Sequence, residues 1–271
     1  MAYVRLTFAS TKLHGNTDIS VFLPNKKRPR GGPGGGFSAI PKADYNKDEV
    51  YQVLWLFHGG GDDYTAWPTD AMIQRSCDAA ELVVIMPTIK DLPGRDPQVD
   101  TMGFLTEELP LAMRFMFPIS DRRQDNFIAG LSYGGYCAYR CAMMHPEMYA
   151  CVGSFSSPLD VAEDVRRLHK GHAAMGGDKN DITGTDRDIL YLTSKLKEQG
   201  VEMPKTFQTV GTEDFTWDFN YAAREHFVKL GMDHTFIQRP GTHNFEFWDR
   251  ALKEYLDWLP LTKSPVRKER F

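Results

Sequence analysis

From Val50 onward, short apolar runs recur between stretches with helical periodicity, and this alternation is the feature that most narrows the possible folds. Apolar runs without polar alternation belong to strands covered on both faces. Strands that alternate with helices pair in parallel through right-handed crossovers. The runs predict strands at 53–57, 82–86, 126–129, 151–155, 207–210 and 235–238, with helices at 72–81, 107–115, 134–144, 158–168, 186–198, 219–230 and 245–259. Ahead of them, residues 4–8 and 19–23 alternate apolar and polar around the turn-like His14-Gly15-Asn16, which reads as an opening β-hairpin. The expected class is α/β, with a mostly parallel central sheet flanked by helices. A length of 271 residues suits one domain spanning 1–271.

Three segments fall outside the pattern. Residues 25–48, opening with NKKRPRGGPGGG, are rich in Gly and Pro and read as a flexible surface loop. Residues 171–185 are polar and Gly-rich, either a lid over a site or a long connection. The polar tail 262–271 is expected to fray.

Charge and cysteine usage bear on partners and compartment. The net charge of −4 gives no field that would attract nucleic acid or an anionic membrane. Cys77, Cys137, Cys141 and Cys151 form no CxxC pair and are too few to staple a chain this long, so they are expected to be reduced and to pack as small apolar residues. Cys137 and Cys141 stand four apart on a predicted helix, a spacing a metal could use, yet no histidine or acid completes a ligand set. MAYVRLTFAS has no apolar core behind a basic start, and no apolar run reaches the length of a membrane span. The expectation is a cytoplasmic protein with no membrane partner, and a homo-oligomer is left open.

The densest chemistry lies at Gly130-Leu131-Ser132-Tyr133-Gly134-Gly135, directly after the apolar NFIA and before the helical YCAYRCAMM. A G-x-S-x-G run between strand and helix describes a sharp, strained turn that lifts the serine to the carboxyl edge of a sheet, at a helix start whose dipole favours a developing oxyanion. A serine hydroxyl needs a base. His243, in Arg239-Pro-Gly-Thr-His-Asn244 after the last predicted strand, fits that role. The other histidines have blander settings: His14 in a turn, His145 at a helix end, His169 and His172 beside a polar loop, His226 within a helix, His234 at a strand start. An acid to orient the base should follow the preceding strand, where Glu213 and Asp214 compete in GTEDF and Asp218 is a weaker third choice; spacing alone does not separate them. His58-Gly59-Gly60-Gly61 follows another strand and can bring backbone amides close to a substrate. The two oxyanion donors assigned are the N–H groups of Gly60 and Tyr133, with His58 read as structural. No GK[ST] follows the glycines, which removes a phosphate-binding loop. Tyr64, Trp67 and Trp217 are the candidate substrate-binding aromatics among several near these motifs.

HGGGDDYTAW, EELP at 107–110, FPISDRRQDNFIAGLSYGGY and GTEDF together resemble the esterase D group of α/β-hydrolases, most closely its tributyrin esterases, with S-formylglutathione hydrolases, feruloyl esterases and acetylxylan esterases as neighbours. The resemblance spans roughly residues 2–259. It implies an α/β-hydrolase fold, Ser132 as nucleophile, His243 as base and Asp214 rather than Glu213 as acid, with His58-Gly59-Gly60 as the oxyanion loop. The activity implied is hydrolysis of short acyl esters, including acetyl or feruloyl esters of plant-derived saccharides, with a small-molecule substrate and neither cofactor nor metal. S-formylglutathione hydrolases usually carry a cysteine just past the oxyanion glycine; Gly61-Asp62-Asp63 stands here, which weakens a glutathione-thioester reading. Acyl transfer on the same residues and a non-catalytic binding protein that keeps the fold are the rival classes.

Overall fold

The computed structural model describes residues 2–24, 48–89, 99–163, 182–262 and 266–267. The expected loop at 25–48, save Asp48, most of the 171–185 segment and most of the tail lie outside the described residues. Ile182–Thr185 end in a tight turn, with the Thr185 amide on the Ile182 carbonyl.

Among the described residues, eight strands form one sheet in the order β1-β2-β5-β4-β6-β7-β8-β9. They are β1 (Ala2–Ser10), β2 (Gly15–Leu23), β4 (Val53–Phe57), β5 (Val83–Pro87), β6 (Asn126–Leu131), β7 (Cys151–Phe155), β8 (Lys205–Gly211) and β9 (His234–Arg239). A small antiparallel pair, β3 (Glu49–Val50) with β10 (Val266–Arg267), stands apart. β1 and β2 form the antiparallel hairpin, β2 adds antiparallel to β5, and all pairs from β5 to β9 are parallel. This is the sheet of the α/β-hydrolase fold.

The apolar runs are explained by two cores, one on each face. Along β4 the period of two sends Val53, Trp55 and Phe57 into one core and Leu54 and Leu56 into the other. The first core is closed by α4 (Leu109–Met116), α5 (Tyr133–Met144) and α6 (Ile189–Glu198); the second by α2 (Ile73–Ala80) and α8 (Phe245–Trp258). The described residues also include α1 (Ala66–Asp70), the single turn α3 (Thr101–Gly103) and α7 (Trp217–Lys229). No helix among the described residues is long and apolar enough to cross a membrane.

Three local expectations shift. The hairpin turn falls at Thr11–His14, and Gly15 and Asn16 already pair in β2. The Glu108 carboxylate fixes it there by accepting from the Thr11 amide and hydroxyl and from the Ser10 hydroxyl. The helix expected at 107–115 begins regular winding only at Leu109, after a wider π-type turn at Phe104–Glu108. Pro110 has no N–H to give, so it is tolerated in the first turn and not deeper. Of the helix expected at 158–168, residues 161–163 are helical and 164–168 lie outside the described residues. The four cysteines are buried and free.

Candidate active site

The strand β6 ends at Leu131 and α5 starts at Tyr133, leaving Ser132 alone at the corner with φ 50° and ψ −123°. A positive φ in a non-glycine residue is strained, and the surroundings hold it: the Ser132 amide donates to the Phe155 carbonyl of β7 at 2.8 Å. The turn is possible only because strand and helix backbones touch. A Cβ on Gly130 would collide with the Gly134 and Gly135 backbone, and one on Gly134 with the carbonyls of Phe57 and His58. The same contact presses the end of β4 against the start of α5.

That contact delivers the glycine loop. Positions 59 and 60 lie over the serine corner: a Cβ at Gly59 would stand 3.6 Å from Ser132 Cβ, and one at Gly60 3.7 Å from Tyr133 Cβ. His58 is buried and anchors the loop through both ring nitrogens. Nε2 accepts from the Ile89 amide at 2.8 Å, so Nδ1 carries the proton and donates to the Gly59 carbonyl at 2.7 Å. Burial holds its pKa below the usual histidine value, against the pull of the Gly59 carbonyl and of Asp62 and Asp63. His58 is thus a neutral strut.

His243 Nε2 lies 3.0 Å from Ser132 Oγ, and its Nδ1 lies 3.0 Å from each oxygen of Asp214. A carboxylate only accepts, so the neutral ring carries its proton on Nδ1 and leaves Nε2 to accept the serine proton. The Asp214 side chain is fully buried and the His243 side chain 18% exposed. Burial pushes the Asp214 pKa up, but hydrogen bonds from His243, the Thr216 amide and the Thr216 hydroxyl outweigh it, and the net shift is downward.

The loops after β8 and β9 are zipped together: Thr212 N–H donates to Arg239 O, Glu213 N–H to Gly241 O, and Gly241 N–H to the Glu213 carboxylate at 2.6 Å. Glu213 therefore faces the backbone of the histidine loop, while Asp214 faces the ring. Asp218 lies exposed in the first turn of α7. Asn244 caps α8 by accepting from the Phe247 amide, which fixes the far side of the histidine loop.

Two aromatic rings bracket His243: Phe215 at 4.4 Å, itself 60% exposed, and the buried Trp248 edge-on at 4.9 Å. Of the candidate substrate-binding aromatics, Tyr64 and Trp217 are half-buried, with Trp217 stacked on Tyr221. Trp67 is 1% exposed, donates its indole N–H to the Phe57 carbonyl at 3.0 Å and sits edge-on to Phe155 and Phe245. It presents no surface to a substrate and braces the end of β4 instead. Thr216 and Trp248 were not singled out from sequence. Thr216 had a signal, since an aspartate followed two residues later by a threonine is a common turn in which the carboxylate accepts the i+2 amide; Trp248 had none beyond its place on an apolar helix face. Among the described residues, no group of three or more His, Cys, Asp or Glu side chains could hold a metal ion.

The model of a family described as "Putative esterase" matches residues 39–259. An acetyl esterase of Caldicellulosiruptor saccharolyticus is 26% identical over 274 residues, covering 96% of this chain and 98% of that protein. An S-formylglutathione hydrolase from Staphylococcus aureus superposes with a TM-score of 0.80 at 24% identity, over 95% of this chain and 98% of that one. A ferulic acid esterase does so with a TM-score of 0.74 at 21% identity, over 95% of this chain and 96% of the other. These two structures share the α/β-hydrolase fold found here.

Proposed function

The chain belongs to the esterase family, and from that premise we propose that Ser132, His243 and Asp214 form a catalytic triad that hydrolyses short-chain carboxylic esters through an acyl-enzyme. The observation that carries this reading is the continuous run of contacts from Asp214 through both nitrogens of His243 to Ser132 Oγ, each 3.0 Å. His243 takes the Ser132 proton as the hydroxyl attacks the ester carbonyl. The oxyanion is received by the amides of Gly60 and Tyr133. The imidazolium, steadied by Asp214, then protonates the leaving alkoxide. Water, deprotonated by the same nitrogen, attacks the acyl-enzyme and releases the acid. Each oxyanion donor is worth about a hundredfold or more in rate.

The acetyl esterase relative supports a short acyl group, and a sugar acetate or feruloyl ester fits the same chemistry. The S-formylglutathione hydrolase likeness supports a thioester less well. Asp62 sits over the oxyanion loop, with a carboxylate oxygen 3.4 Å from where a Gly59 Cβ would lie, and Asp63 is next to it. The negative charge that Asp62 and Asp63 add beside the glycine loop opposes an anionic substrate such as a glutathione thioester. The buried free thiols favour a reducing, cytoplasmic setting.

The test is hydrolysis of p-nitrophenyl acetate, butyrate and octanoate and of methyl ferulate by the wild type and by Ser132→Ala. The expected result is wild-type turnover that falls with chain length and is lost in the variant. Full activity in Ser132→Ala would remove the triad.

A further inference from the structure

Behind Asp214 lies a second run of polar side chains, buried where apolar residues would pack as well. Thr216, Asn220 and Gln208 are each at most 1% exposed. Gln208 Nε2 donates to Asn220 Oδ1 at 2.9 Å and to the Asn220 carbonyl at 3.0 Å. Asn220 Nδ2 donates to the Thr216 carbonyl at 2.9 Å and to Thr216 Oγ1 at 3.2 Å. Thr216 Oγ1 lies 2.7 Å from Asp214 Oδ1, and its amide donates to the same oxygen at 2.9 Å.

The direction of this run is determined at every step. Gln208 faces two acceptors, so its amide nitrogen must be the atom turned toward Asn220. Asn220 Oδ1 is then committed as an acceptor, and Asn220 Nδ2 points at Thr216. The Thr216 hydroxyl, accepting from Asn220, has its single proton left for Asp214; the alternative acceptor, the Ser156 carbonyl, is farther away at 3.2 Å. The cost is visible at the other end, because Gln208 Oε1 is buried with no partner among the described residues. A sequence selected only for stability would avoid an orphaned acceptor in the core.

We propose that Thr216, oriented by Asn220 and Gln208, is a positioning residue for the acid of the triad: it aims and stabilises the Asp214 carboxylate so that His243 keeps its accepting nitrogen on Ser132. The proposal rests on the triad reading above. Among the described residues His243 is the one titratable side chain hydrogen-bonded to Asp214. On the neighbouring segments, Glu213 is turned to the Gly241 amide, Arg239 is paired with Glu254, and Asp62 lies over the oxyanion loop.

Without the hydroxyl, the Asp214 carboxylate becomes more basic. It then either takes a proton at higher pH or holds the imidazolium more tightly. Both move the acid limb of the rate profile upward, because the pair titrates as a unit. The experiment is the pH profile of kcat and kcat/KM on p-nitrophenyl acetate for Thr216→Val, Thr216→Ser, Asn220→Leu and Gln208→Leu, with melting curves for each. In Thr216→Val the acid limb is expected to rise by about 0.5 pH unit or more, and kcat to fall roughly tenfold with KM nearly unchanged. Thr216→Ser should restore both. Asn220→Leu and Gln208→Leu should shift the limb the same way by less, and they carry the test if Thr216→Val does not fold. A merely structural role would lower the melting temperature and leave the limb in place. Superimposable pH profiles in the folded variants overturn the proposal. Retained activity in Ser132→Ala or Asp214→Asn would instead overturn the triad itself, so the two failures are distinct.

Discussion

The contact between β4 and α5 can be tested by adding one carbon. In Gly134→Ala the new Cβ would stand 2.7 Å from both the carbonyl carbon and the oxygen of Phe57, and closer still to the His58 oxygen, where ordinary contact begins at 3.4 Å. All of these are backbone atoms, so no side-chain rotation relieves the clash, and the closest of them, the His58 oxygen, requires strand end or helix start to withdraw by about 1 Å or more. Overpacking of this kind costs about 1–3 kcal/mol, a drop of roughly 3–10 °C in melting temperature for a chain of this size. The larger effect should be on catalysis, because the two segments forced apart each carry one assigned oxyanion donor, Tyr133 just before Gly134 and Gly60 two residues past His58. Misplacement approaching 1 Å can cost about a hundredfold in rate. The contrast is Gly60→Ala, whose Cβ meets only Tyr133 Cβ at 3.7 Å and which keeps its amide. With p-nitrophenyl butyrate as substrate, kcat should fall by on the order of a hundredfold in Gly134→Ala and stay within a few-fold in Gly60→Ala. A Gly134→Ala enzyme with kcat within twofold of wild type, or a Gly60→Ala enzyme damaged as badly, would refute the reasoning.

Two further outcomes are expected. In Asp214→Asn the amide oxygen should stay on the Thr216 donors and turn Nδ2–H toward His243 Nδ1, forcing the ring proton onto Nε2. kcat should then fall by about four orders of magnitude with the melting temperature little changed, as read by initial rates and circular dichroism. The hairpin turn should be sensitive to acid. Partial burial raises the Glu108 carboxyl, but donors from Ser10, Thr11 and Lys12 overcome it and hold the pKa below the usual range; the Gly103 amide and Lys12 do the same for Asp100. A depressed carboxyl contributes stability above its unfolded pKa, near 4, and loses it as pH falls through the folded value. The melting-temperature difference between wild type and Glu108→Gln should therefore be full at about pH 5 and shrink toward pH 3.

How much of this was legible in the sequence varied with the kind of interaction involved. The parallel strands were legible because strands packed on both faces need apolar side chains at every position, as β4 has, and their edges moved by only a residue or two. Ser132 and His243 could be singled out because each stands in a distinctive local setting, small residues around the serine and a turn after the last strand for the histidine, and the fold brings them within 3.0 Å. The hairpin turn was not, because it is set by Glu108, nearly a hundred residues away. Trp67 was misjudged for a related reason. An indole beside a glycine loop looks like a pocket wall, and only the Phe57 carbonyl that takes its N–H, a contact bridging ten residues, makes it a brace.

The acid shows most sharply where local reading ends. Glu213 and Asp214 are adjacent carboxylates in the turn just past β8, where the Asp214 N–H closes back on the Gly211 carbonyl, and one of the two meets the histidine ring while the other turns away. Which one depends on the register between the β8 and β9 loops. With Thr212 on Arg239 and Glu213 on Gly241, the longer glutamate reaches back to the Gly241 amide and the shorter aspartate meets the ring. In the proposed triad the two carboxylates divide the work, Glu213 closing the loop that carries His243 and Asp214 orienting its ring. Glu213→Gln should accordingly keep the bond to Gly241 through its amide oxygen and keep most of the activity. Glu213→Ala should loosen the histidine loop and lower kcat without abolishing it. If Glu213→Ala were as dead as Asp214→Asn, the division of labour between the two carboxylates would be wrong.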